Sequence, residues 1–182
     1  VYTKIVGSND LNFSTSLLNK DYELGTIEGW TRSGDGRVIS RLGTVNPTQG
    51  SFMGIISTGL GYTTSSGSVS QCFLVQNTQS TLKLKWNFLS EEFLEFIHSQ
   101  YQDYFRILLV KQDGSQVTLF SRTIDEMAVQ FGADTNHAGQ LISVSPNIVF
   151  DEGGVYMTGW QDISFDITPY RGQTVVIIFK CG

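Results

Sequence analysis

The chain has 182 residues, enough for one domain with a sizeable core. Lys plus Arg number 12 and Asp plus Glu 17, a formal charge of −5, which argues against nucleic acid and anionic membrane surfaces as partners. It begins at Val1 with no charged-then-apolar leader and no run of 18 apolar residues, which predicts a mature or excised piece with nothing to insert into a membrane.

Period-2 alternation dominates the chain. Residues 1–18 read as an N-terminal extension or edge strand with a short β-prone run at 1–6, and residues 19–182 as a single domain. Strands are predicted at 52–57 and 68–75, with breaks at Gly59-Leu60-Gly61 and Ser65-Ser66-Gly67 between them. Residues 81–88 (TLKLKWNF) form the clearest strand. Leu82, Leu84, Trp86 and Phe88 share one face, and Lys83, Lys85 and Asn87 the other. In 90–99, Phe93, Phe96 and Ile97 fall at i, i+3, i+4, the spacing of a short helix. Residues 104–110 and 117–121 read as a hairpin, turned by Lys111-Gln112-Asp113-Gly114.

Residues 124–129 (IDEMAV) predict one or two helical turns. Residues 131–154 are polar, Gly-rich and aperiodic, as expected of a long excursion between strands. A strand at 163–167 follows. The apolar run 175–179 (VVIIF) predicts a last strand buried on both faces. Many short strands with Gly and Ser breaks indicate an all-β, antiparallel, jelly-roll-like sandwich with one or two short helices in loops.

The segment 87–105, NFLSEEFLEFIHSQYQDYF, places Glu91, Glu92, Glu95 and Asp103 within 13 residues and contains no Lys or Arg. Four carboxylates held close repel unless a cation neutralises them or water screens them. Oxygen-only donors suit a hard cation such as Ca²⁺, which takes six to eight oxygens at about 2.3–2.6 Å. A solvated acidic loop is the other reading. Glu91, Glu92 and Asp103 are the preferred ligands, because Glu95 falls toward the solvent side of the expected helix.

The same segment, as NFLSEEF-x-EF-x-x-S-x-Y-x-DYF, resembles the signature of bacterial extracellular choice-of-anchor or PEP-CTERM-associated domains. Asn19-Lys20-Asp21-Tyr22-Glu23 with Gly29-Trp30 resembles their opening motif. Gly50-Ser51-Phe52-Met53 with Ile56-Ser57-Thr58-Gly59 resembles their GSxMAxISTG strand, and residues 68–73 resemble SxSQxF. Gly159-Trp160-Gln161 through Tyr170 resembles GWQxxxxDIxxYxG. The opening and closing motifs also occur in carbohydrate-binding β-sandwich modules.

The resemblance implies a secreted, calcium-stabilised β-sandwich joined to a surface anchor, at the bacterial cell surface. It also implies a second Ca²⁺ site, in which Asp21 and Glu23 join a carboxylate from the final strand. The family continues past the last apolar strand, whereas this sequence ends at Cys181-Gly182. Asp151-Glu152-Gly153-Gly154 reads as a turn.

Cys72 and Cys181 each lie in a strand-like run and lack metal-ligand spacing. A disulfide between them would close about 110 residues, worth roughly 4–5 kcal/mol in the chain-entropy model. Two buried thiols, or a crosslink from Cys181 to another chain, are the alternatives.

No catalytic residues are assigned. His98 and His137 sit in no nucleophile elbow, zinc-protease or phosphate-loop pattern. Four neighbouring acids fit cation binding better than an acid–base pair at a set separation. For sugar stacking the aromatic candidates are Trp30, Trp86 and Trp160, with Tyr62, Tyr101 and Tyr156 in loops. The strand pattern puts Trp86 in the core, and the family motif positions suggest the same for Trp30 and Trp160. Asn12-Phe13-Ser14 is a formal glycosylation sequon.

The expected function is a non-catalytic, calcium-stabilised extracellular module of a bacterial surface protein, an adhesin or fibre component. The alternative is a lectin-like module for glycan or peptide. Self-association is expected if 175–179 leaves an open edge to which the β-prone residues 1–13 of a neighbour add as a strand.

Overall fold

The computed structural model describes residues 17–59, 64–145 and 154–182. The N-terminal extension, the sequon at Asn12, and Tyr62, Asp151 and Glu152 lie outside the described residues. The strands are β1 (Thr31–Ile39), β2 (Met53–Ser57), β3 (Gly67–Leu74), β4 (Thr81–Trp86), β5 (Leu89–Ser90), β6 (Tyr104–Val110) and β7 (Gln116–Thr123). A helix, α1 (Ile124–Phe131), is followed by β8 (Ile142–Ser143), β9 (Tyr156–Met157), β10 (Gln161–Asp166) and β11 (Thr174–Cys181).

Six strands form one antiparallel sheet in the order β2-β1-β3-β11-β6-β7. The second layer is the β10–β4 pair, with a small β5-β9-β8 sheet beside it. Alternation in β4 and β10 turns Leu82, Leu84, Trp86, Ile163 and Phe165 inward. They meet Ile107, Leu109, Val175 and Ile177 of the large sheet. Trp86 stacks between the layers, with ring centroids 5.7 Å from Phe105 and 5.3 Å from Phe120. The fold is therefore the antiparallel β-sandwich that the sequence predicts.

The predicted hairpin is present. Its turn places Gly114 at φ 82°, and the Asp113 carboxylate accepts from Ser115 N at 2.8 Å. Thr123 and Glu126 cap α1 reciprocally, and Gly132 ends it in the left-handed conformation. The apolar side of α1 (Ile124, Met127, Ala128, Phe131) joins the core.

Three expectations are corrected, and one strand is added. After Ser90, which ends β5, residues 91–99 form consecutive bends and turns rather than a regular helix, although Phe96 N does bond Glu92 O at 3.0 Å. The Ser90 hydroxyl takes the Glu92 amide, and His98 turns the backbone to φ 65°, so side chains compete with a helical ladder. The apolar spacing was real, since Phe93 and Ile97 are buried.

β1, which contains Gly34 and Gly36, was not among the predicted strands. A Cβ at Gly36 would lie 2.7 Å from Val69 Cγ1, so these glycines serve close strand approach.

β11 is not an edge. It pairs with β3 on one side and β6 on the other, so the open edge invoked for strand addition does not exist there. Burial on both faces does hold: Val175 and Ile177 face the main core, and Val176 and Ile178 join a second cluster with Leu108.

Finally, Cys72 lies opposite Val176 while Cys181 lies opposite Gly67. The cysteines are thus 72 − 67 = 5 positions apart on the ladder and on opposite faces, roughly 16 Å along the strand. A disulfide needs Cα atoms within about 7 Å, so both thiols are free.

Candidate functional site

The opening motif folds into a clamp. Asn19 donates to Thr26 O and Glu28 O, and Trp30 Nε1 donates to Asn19 O at 3.1 Å. Gln71 of β3 holds both backbone groups of Leu18, accepting from its N at 2.6 Å and donating to its O at 3.0 Å. Tyr22 stacks on Trp30, and burial pushes its phenol pKa well up.

Glu23 accepts from Ser51 N and Phe52 N at 3.0–3.1 Å, and Asp21 accepts from Glu23 N. The two carboxylates predicted as a second metal site thus cap backbone amides. The closing motif behaves likewise: Trp160 Nε1 donates to Asn46 O, and the ring packs against a small cluster around Val45 and Val155.

In the acidic segment, the Ser90 hydroxyl donates to Asp103 at 3.3 Å and accepts the Glu92 amide at 3.1 Å. Burial, then the nearby Glu92 charge, holds the Asp103 carboxyl above the usual carboxylate range, offset in part by Ser90. The Ser90 hydroxyl thus links the Glu92 backbone to the Asp103 carboxylate. Glu91 is half-buried and Glu95 is exposed. Among the described residues no three His, Cys, Asp or Glu side chains converge as a metal-holding group.

Burial also pushes the Cys181 thiol to about 11, with Asp103 and Asp35 adding to the rise and the Gly67 carbonyl opposing it. Such a thiol is protonated at neutral pH and is a weak nucleophile. His137 accepts from Gly139 N through Nδ1, so its ring shapes a turn.

Exposure separates the aromatic candidates. Trp30 is 8 % exposed and Trp86 6 %, while Trp160 and Tyr156 are half-buried. Tyr101 is 65 % exposed, the one aromatic among the exposed large hydrophobic residues described. It sits on the loop that docks against α1 through Gln102 and Asp125. Sequence reasoning named Tyr101 but had no means of ranking it, and it passed over Asp125, whose contacts cross 23 to 27 residues.

No family model matches the chain, and no curated protein matches it. A solved structure does: the carbohydrate-binding module TmCBM61, in complex with β-1,4-galactotriose. The likeness covers 92 % of this chain and 88 % of that one, with a TM-score of 0.51 at 11 % identity. At that identity the similarity is one of fold.

Proposed function

We propose that the chain is a non-catalytic, extracellular carbohydrate-binding module. The observation that carries this reading is the β-sandwich likeness to a carbohydrate-binding module along nearly the whole chain. The motifs that resemble bacterial extracellular domains support a cell-surface setting, and those that also occur in carbohydrate-binding sandwiches support the glycan reading. The test is binding of the folded chain to immobilised neutral oligosaccharides. Absence of binding across such a panel refutes the reading.

A second element of the proposal is stabilisation by Ca²⁺, favoured by the half-buried Asp103 carboxylate, which Ser90 links to the Glu92 backbone and whose pKa burial and the Glu92 charge raise. Glu92, Asp103 and the Ser90 hydroxyl are the donors this chain would offer, with water completing the shell. A cation there would relieve the repulsion and the desolvation that raise the Asp103 carboxyl. At 100 times its dissociation constant a cation adds about 2.7 kcal/mol to stability. Identical melting temperatures in millimolar CaCl₂ and in EDTA would refute the calcium reading and leave the glycan reading standing.

A further inference from the structure

We propose that Tyr101 is the stacking platform for the sugar ring, with His98 at its rim supplying a hydrogen bond to a hydroxyl. This assignment rests on the carbohydrate-binding reading and gives it a location and a ligand class, neutral saccharides.

Three observations converge on this loop. The first is a large ring left out of the core. Aromatic side chains contribute most when buried, and Tyr101 remains 65 % exposed while the other aromatics among the described residues are buried or half-buried.

The second is rigidity. One hydroxyl, Ser99 Oγ, both accepts from Tyr101 N at 3.0 Å and donates to Tyr101 O at 2.7 Å. The Phe96 ring meets Tyr101 edge-on, 6.2 Å between centroids. Gln102 donates to Phe96 O and Ser99 O and accepts from Asp125 N at 2.9 Å, which fastens the loop to the first turn of α1. The backbone beneath the ring is thus ordered before any ligand arrives. Little ordering entropy remains to oppose binding, and a tyrosine has only two side-chain torsions to fix.

The third is His98. Its backbone is held at φ 65°, a conformation unfavourable for a non-glycine residue. Its amide donates to Asp125 Oδ1 at 2.6 Å, while its Nδ1 stands 3.8 Å from Asp125 Oδ2. The imidazole itself is 76 % exposed, so the strained backbone secures no packing. It does hold an exposed imidazole three residues before Tyr101 on the same loop, with Nδ1 on the Asp125 side.

An aromatic face presented to solvent, with a few placed polar groups at its edge, matches the C–H face and hydroxyl rim of a pyranose. Charge narrows the class. Residues 87–105 carry four carboxylates and no Lys or Arg, so uronic or sulfated sugars would be repelled.

The test uses the full chain and four neutral probes: β-1,4-galactotriose, cellotriose, mannotriose and xylotriose, each titrated by calorimetry. At least one should bind. For that probe, Tyr101→Ala should weaken affinity about tenfold, as expected from losing an aromatic contact. His98→Ala should weaken it about threefold, a fraction of a hydrogen bond's worth. Ile142→Ala, at an exposed residue outside this loop, should change nothing.

Ring resonances of Tyr101 in the wild-type protein should shift on titration, a readout that needs no variant to fold. If a probe binds while Tyr101→Ala retains full affinity and the Tyr101 ring does not shift, this placement is wrong and the glycan reading survives. If none of the four binds, both fail. Capture of a protein partner through Tyr101 without any saccharide binding also overturns the proposal.

Discussion

Replacing Glu23 by Ala separates a backbone cap from a metal ligand. The carboxylate accepts from Ser51 N and Phe52 N, joining the opening loop to the turn that begins β2. Hydrogen bonds to a charged acceptor contribute about 1.5–3 kcal/mol when well sheltered, and this exposed site should give about 1–2 kcal/mol for the set. In a domain of this size each kcal/mol moves Tm by about 2–4 °C.

Gly50 supplies the second arm. Its φ is 64°, and a Cβ there would lie 2.3 Å from the Glu23 carboxyl carbon. Gly50→Ala should therefore cost roughly 1–2 kcal/mol for the left-handed backbone, plus the displacement of Glu23. Once Glu23 is already Ala, only the backbone cost remains. The double variant should be more stable than additivity predicts by about 1 kcal/mol.

Urea melts of the four proteins, in CaCl₂ and in EDTA, give the cycle. Strict additivity would refute the cap. A Glu23→Ala loss present only in CaCl₂ would restore the metal-ligand expectation for Asp21 and Glu23.

Asp103 has a folded-state pKa raised by burial and Glu92, so its contribution to stability is largest below the ordinary carboxylate value. That contribution is lost as pH rises through the raised value. In EDTA at pH 7, Asp103→Asn should raise Tm, and the variant should show a flatter pH profile; a lower Tm there would contradict the burial argument. Phe93→Ala removes a fully buried ring set edge-on to Phe88 and should cost about 3–5 kcal/mol by denaturant titration. A cost under about 1 kcal/mol would mean the turn segment is not part of the core. Alkylation of the unfolded protein without reductant should label two thiols by intact mass, and in the folded protein at pH 8 Cys181 should react more slowly than a free thiol. An unlabelled pair, lighter by two hydrogens, would restore the disulfide.

The sequence by itself determined the layer architecture. Alternation in TLKLKW and continuity in VVIIF each identify which faces are buried, because side chains alternate across a strand whatever its neighbours. It also identified the hairpin turn, whose Asp-Gly signal acts over a few residues, and one or two helical turns at 124–129, where α1 lies. The acidic segment and the family-like motifs were legible as letters, but their roles were not. That Glu23 reaches Ser51, 28 residues on, is visible only in the structure.

Only the tertiary structure decided what depends on strand order. The sheet order places β11 between β3 and β6, which removes the open edge, and its register sets Cys181 opposite Gly67, which separates the thiols. Neither follows from spacing along the chain, because register is set jointly by two strands and the faces they bury. The aromatics divide the same way: strand alternation already turned Trp86 inward, but only the packing shows that Tyr101 stays 65 % exposed on its loop while Tyr156 is half-buried.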